Sequence, residues 1–199
     1  MQVRADSILS EAALGALAAQ ALVGLGLTPT DAADTAGILV LAEMFGLTTH
    51  GVRRIASYGE RLDIGGINRR SSITLERVAA ALIRIDGDNG IGPLVGRRAL
   101  EAAMEAAGFT GVALALARGS NHFGPVSPYC HLAAQAGFAT LIGTNATTTI
   151  APWGGRAARL GNSPYGFGLV ARGLVASGQG SALVAPPADA ISGAEGGPR

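Results

Sequence analysis

Lysine is absent from this chain: all 15 basic residues among its 199 are arginine. That excludes Schiff-base lysine chemistry and a Walker-type phosphate loop, which needs its lysine. Cysteine occurs once, at Cys130. A disulfide framework and a multi-thiolate zinc site are therefore excluded, and no metal is expected. Charge of either sign is scarce, and the formal net charge is only +1, so nucleic acid is not an expected partner. Long apolar runs are also missing. Gln20 and Glu43 interrupt them too early for a membrane span. The first ten residues carry Arg4 and Asp6 and lead into an alanine-rich amphipathic run, unlike a secretory leader. The expectation is a soluble cytoplasmic protein with no membrane partner.

What is present is a core-forming composition. Hydrophobic residues make up 48%, charged residues 15%, and mean hydropathy is +0.34. Intrinsic disorder is excluded for the bulk of the chain, and the length suits one large domain or two small ones. Three zones are expected: a helical subdomain over 1–72, an α/β subdomain over 73–170 and an irregular tail over 171–199.

In the first zone Ser7 is the expected cap of a helix carrying Ile8, Leu9, Leu14, Leu17, Ala18 and Leu22. Thr28, Pro29 and Asp31 form the start signal of a second helix, stopped at Gly46. A third begins near Thr49 or His50 and carries Ile55, Tyr58 and Leu62. The second zone alternates strand and helix patterns. Strands are expected over 78–85, 110–116 and 138–144, and helices over 97–107 and 127–136. The third zone is rich in Ala, Gly, Ser and Pro and lacks any period.

Three constellations carry polar chemistry. In Thr48-Thr49-His50-Gly51-Val52-Arg53-Arg54, His50 and Arg54 stand four apart and would share one helix face. A guanidinium grips a carboxylate in two places while an imidazole exchanges a proton; an ordinary capped helix start has the same spacing. Gly119-Ser120-Asn121-His122-Phe123-Gly124-Pro125 follows a strand, where ligands gather in α/β layers. A turn histidine bonded to backbone is the plain alternative. His131, next to Cys130 inside a helix, is read as structural. The loops Gly143-Thr144-Asn145-Ala146 and Leu160-Gly161-Asn162-Ser163-Pro164 suit either a cofactor or ordinary turns. Gly90-Ile91-Gly92-Pro93-Leu94-Val95-Gly96 is a poor dinucleotide fingerprint. Its third glycine comes one residue late, and Arg118 stands where an acidic residue belongs. A serine hydrolase is excluded by the lack of a nucleophile elbow.

As a set, these stretches resemble the type II malate/L-lactate dehydrogenase family, which includes ureidoglycolate and sulfolactate dehydrogenases. The matching segments are Ala42 to Arg54, Asp86 to Gly92, Ser120 to Gly124, Thr144-Asn145, Ala151 to Gly155 and Gly161 to Pro164. The resemblance implies a non-Rossmann α/β (α+β) fold: a helical subdomain plus an α/β subdomain, here incomplete, with a largely antiparallel sheet. It implies a homodimer and NAD- or NADP-dependent interconversion of a small 2-hydroxy acid and its 2-oxo acid. His122 is the implied acid/base, with His50 and Arg54 orienting the substrate; the two histidines are alternatives for the proton-exchanging role. Thr49 and Arg54 are the implied substrate contacts. Thr144, Asn145, Gly161, Asn162 and Pro164 are the implied cofactor contacts.

Some positions depart from the family pattern. Thr49 replaces the usual serine, Glu43 the common aspartate, Ala146 a frequent serine, and Asn162-Ser163-Pro164 the common Thr-Asn-Pro. After Val170 the family's Asp-Met-Ala-Thr-Ser-like motif is not found. The expectation is a truncated or frame-shifted member, whose alternative role is that of a non-catalytic remnant or dimerisation module.

Overall fold

The structure, a computed structural model, describes residues 8–169 and the backbone of 175–178 and 183–184. Its contacts form two compact units, Met1–Pro125 and Val126–Arg199. The expected break between residues 72 and 73 falls inside the first unit.

The first unit opens with helices α1 (Glu11–Gly24) and α2 (Pro29–Met44), a single 3-10 turn at Thr48–His50, and α3 (Arg54–Asp63). Ser10, not Ser7, caps α1: its hydroxyl accepts from the Ala13 amide. Ser7 lies outside the described residues. Thr28 caps α2 reciprocally, since its hydroxyl accepts from the Asp31 amide at 3.1 Å and donates to the Asp31 carboxylate at 2.6 Å. Gly46, at φ +74°, turns the chain away after α2, a backbone conformation that glycine adopts without steric cost. The third helix differs from expectation. His50 sits in the 3-10 turn and Arg54 opens α3, so no shared helical face joins them.

Next come β1 (Thr74–Ala79), β2 (Leu82–Gly90), α4 (Gly92–Thr110) and β3 (Leu114–Ser120). The single strand expected over 78–85 is instead a hairpin, with Ala79 paired to Leu82. Its turn is made by Ala80 and Ala81, which carry none of the Gly, Asn or Asp signals that mark such turns. Helix α4 starts five residues before Arg97, with Pro93 in its first turn. It runs through Gly108 and stops at Gly111, where φ is +79°. Because α4 absorbs Phe109 and Thr110, β3 begins four residues later than expected. Strand β1 is antiparallel to β2, and β2 is parallel to β3 across the α4 crossover.

Two clusters hold this unit together. Leu22, Ala32, Leu39, Tyr58, Leu62 and Leu94 pack among the four helices. Ile83 and Ile85 of β2 face Val95, Ala102 and Ala106 of α4. An ion-pair network adds to this, with Arg97 and Arg98 of α4 reaching Asp34 of α2 at 3.3 and 3.0 Å.

The second unit contains α5 (Ser127–Gln135), β4 (Thr140–Gly143), β5 (Tyr165–Gly168), β6 (Val175–Gly178) and β7 (Leu183–Val184). The four strands pair in that order, all antiparallel. Gly166 and Gly168 let β5 approach α5, because a Cβ at Gly166 would meet Val126 and one at Gly168 would meet Cys130. Within the segment expected to be irregular, Val175–Gly178 and Leu183–Val184 are strands, short apolar stretches that continue the ladder from β5.

The α+β fold with a largely antiparallel sheet is therefore observed. Among the described strand pairs only β2 with β3 is parallel, and the strands fall into two small sheets. No helix among the described residues is long and apolar enough to cross a membrane.

Replacing Thr28 with alanine removes both capping contacts while leaving Pro29 in place. We expect a loss of about 1 kcal/mol in urea unfolding; a change well under half of that would show that the cap does not stabilise α2.

Candidate active site

The His50 loop is held to α2 by one carboxylate. Glu43 accepts from the Val52 amide at 3.2 Å, and Gly51 packs so closely on the Glu43 side chain that a Cβ there would collide with it. Within the loop, the Thr49 hydroxyl contacts His50 Nδ1 at 2.9 Å. Arg54 Nε donates to the Thr49 carbonyl at 2.8 Å. The loop thus brings His50 and Arg54 together through the backbone of Thr49. Thr49 itself, expected to meet substrate, is engaged with His50.

His122 reaches the same place from the loop after β3. That loop lies directly on the N-terminus of α4, where a Cβ at Gly92 would collide with the carbonyls of Asn121 and His122. Gly92 of the poor dinucleotide fingerprint is thus explained by chain packing. Asn121 locks the loop: its amide nitrogen lies 2.9–3.0 Å from Asn89 O, Asn89 Oδ1 and Gly90 O. Its Oδ1 accepts from Arg61 at 2.9 Å. The Asn89 backbone sits at φ +55°, in the left-handed region that asparagine tolerates better than most residues.

The rings of His50 and His122 stack, with centroids 5.7 Å apart and planes 25° apart. Tyr58 of α3 places its hydroxyl 2.9 Å from His122 Nδ1. Burial pushes the His122 imidazole down to about 4, helped by the positive charge of Arg54, then His50 and Arg61. Burial and then Arg54 also lower His50. Burial raises the Tyr58 phenol well above its ordinary range. The two imidazoles are therefore neutral near pH 7, and the phenol keeps its proton. Among the described residues no carboxylate pairs with Arg54 or Arg61. The result is a site with two guanidiniums unpaired by carboxylates among the described residues, beside two neutral imidazoles.

Tyr58, Arg61 and Asn121 were not among the site residues expected from sequence. Tyr58 reads as one more residue on the apolar face of α3. The available signal was its phenol, which needs a partner when buried.

The expected cofactor contacts all lie in the second unit, between β4 and β5. The Thr144 amide donates to the Pro164 carbonyl at 3.1 Å. Gly161 sits where a Cβ would collide with the Ala146 carbonyl. Two loops are thereby held in contact, with the Asn145 and Asn162 side chains exposed. Small amide side chains and close backbone fit the ribose or amide portions of a nicotinamide cofactor. Cys130 is buried and its thiol is raised by that burial, which leaves it a poor nucleophile. His131 lies on α5, half-buried. No group of three or more His, Cys, Asp or Glu among the described residues could hold a metal.

The family model for malate/L-lactate dehydrogenase matches residues 9–175. A malate dehydrogenase from Pyrococcus horikoshii is 36% identical over 143 residues, covering 72% of this chain and 40% of that protein. An L-sulfolactate dehydrogenase from Methanocaldococcus jannaschii is 36% identical over 139 residues, covering 70% and 40%. The solved structure of the Pyrococcus horikoshii malate dehydrogenase superposes with a TM-score of 0.76 at 33% identity, covering 84% of this chain and 48% of that one. The chain spans less than half the length of these relatives.

The depressed His122 sets a pH dependence. An unfolded chain, with an ordinary imidazole near 6.5, takes up a proton before the folded one does at about 4. The stability from this group is therefore complete above about pH 6.5 and falls as pH drops towards 4. Urea midpoints at pH 7 and pH 5 should differ less for His122→Gln than for the wild type; equal differences would show that His122 titrates normally.

Proposed function

The chain belongs to the malate/L-lactate dehydrogenase family, and from that premise we propose that its histidine pair serves a cytoplasmic, homodimeric oxidoreductase interconverting a small 2-hydroxy acid and its 2-oxo acid. The observation that carries this reading is the stacked His50–His122 pair under the charge of Arg54, which has no carboxylate partner among the described residues. A positive site without a counter-ion favours an anionic ligand, and a neutral imidazole is ready to take a proton.

Arg54 is assigned the substrate carboxylate. Its Nε is tied to Thr49, which leaves the outer guanidinium nitrogens for a charge-assisted pair. In the oxidising direction His122 takes the hydroxyl proton; in reduction it returns a proton to the carbonyl oxygen. His50, stacked on it, fixes the ring plane, and Arg54 and Arg61 supply the positive field that draws the acid in. A bound NAD or NADP supplies the hydride acceptor or donor. Thr144, Asn145, Gly161, Asn162 and Pro164 are the residues that would hold it. The names of the relatives, malate and L-sulfolactate dehydrogenase, point to 2-hydroxy acids with a second acidic group as the first substrates to try.

The test is a titration of the purified chain with NADH and with NADPH, followed by addition of oxaloacetate. Saturable binding and loss of the reduced cofactor's absorbance are expected. No binding at millimolar cofactor would overturn the reading in favour of a non-catalytic pairing module. In the active protein, Arg54→Ala should raise KM for the acid roughly ten- to hundredfold, since a hydrogen bond to a charged group contributes roughly 1.5–3 kcal/mol. An unchanged KM removes Arg54 from substrate binding. Sedimentation at two concentrations checks the homodimer.

A further inference from the structure

Tyr58 is the most buried polar group in the site, 2% exposed, on the face of α3 that also carries Leu62. Its hydroxyl makes two contacts with one residue: His122 Nδ1 at 2.9 Å and the His122 carbonyl oxygen at 3.5 Å. A phenol has one hydrogen to donate and can also accept. The carbonyl has no hydrogen, so only the phenol can donate across that contact. Both contacts are hydrogen bonds in one arrangement alone. Nδ1–H donates to the Tyr58 oxygen, and the Tyr58 O–H donates to the carbonyl. In the opposite arrangement, with the phenol donating to Nδ1, two oxygens face each other with no hydrogen between them.

We propose that Tyr58 is a positioning residue that holds neutral His122 in its Nδ1–H form, leaving the Nε2 lone pair as the atom that exchanges the substrate's proton. Which ring nitrogen is free is set by the bond the other one makes. Among the described residues Nε2 has no hydrogen-bond partner, and the other groups acting on the ring are His50, Arg54 and Arg61. The two guanidiniums have no acceptor atom and His50 meets the ring by stacking, not by a hydrogen bond, so the choice of tautomer falls to Tyr58. The same hydroxyl serves the doubly protonated ring, because Nδ1–H is present in both states. The ring therefore gains and loses a proton at Nε2 with no rearrangement behind it, which is the arrangement a repeated acid/base step needs. The phenol stays protonated at any working pH, since burial raises it, and so always has a hydrogen for the carbonyl.

The catalytic meaning of this arrangement rests on the dehydrogenase reading; the tautomer does not. The experiment is long-range proton–nitrogen NMR on the ¹⁵N-histidine-labelled chain near pH 7, with His50→Gln and His131→Gln used for assignment. His122 should show a pyrrole-type Nδ1 and a pyridine-type Nε2. The reverse pattern in the wild type overturns the proposal without any variant. In Tyr58→Phe, which keeps the ring and loses only the hydroxyl, the pyrrole-type signature at Nδ1 should be lost or averaged. An unchanged pattern in a folded Tyr58→Phe chain also overturns it. If that variant does not fold, the wild-type spectrum decides. An intact Nδ1–H pattern in a chain that binds no cofactor leaves Tyr58 in place and removes the dehydrogenase reading. Cofactor-dependent turnover with an Nε2–H pattern does the opposite.

Discussion

The site depends on how closely the His122 loop lies on the start of α4. The loop can lie there only because residue 92 has no side chain. It is held in place by Asn121, whose amide bridges the end of β2 and the guanidinium of Arg61. With that contact, His122 comes within stacking distance of His50 and hydrogen-bonding distance of Tyr58. Without it the two histidines belong to loops 72 residues apart in the chain, with no local reason to meet. A steric allowance at one glycine and a polar lock at one asparagine thus convert two separate sequence motifs into a single arrangement.

The electrostatics follow from that geometry. Two imidazoles placed together beside two guanidiniums, partly out of water, cannot readily be charged. Burial is the largest influence on His122 and His50, and the cations add to it. A carboxylate beside either ring would reverse the effect and favour the imidazolium. The Glu43 carboxylate, which holds the His50 loop, is used on the backbone of Val52 instead. The positive field is therefore left for an incoming anion, and a basic nitrogen is available at neutral pH.

The legible parts of the fold are those whose signals are local. Thr28, Pro29 and Asp31 announced the start of α2, and the helix over 127–136 was read to within one residue of its end. The β1–β2 hairpin was hidden because Ala80 and Ala81 turn the chain without turn residues. The start of α4 was obscured by glycines resembling a phosphate loop. In the site, His50, Arg54 and His122 were legible as chemistry-bearing residues in short motifs. Tyr58 was not, because on a helix its spacing equals that of a core residue.

By itself, the order of residues determined which helices form, which chemistry is excluded by the lack of lysine and paired cysteines, and which three side chains are of a type suited to proton and carboxylate chemistry. Those properties depend on neighbours a few positions away and on residue type. Only the tertiary structure decided that His50 and Arg54 meet through the Thr49 carbonyl instead of along a helix. It alone placed a phenol behind His122 and left Arg54 and Arg61 without carboxylate partners among the described residues. The first depends on a 3-10 turn standing where a helix start was expected; the others are matters of distance between segments far apart in the chain, which no local pattern encodes.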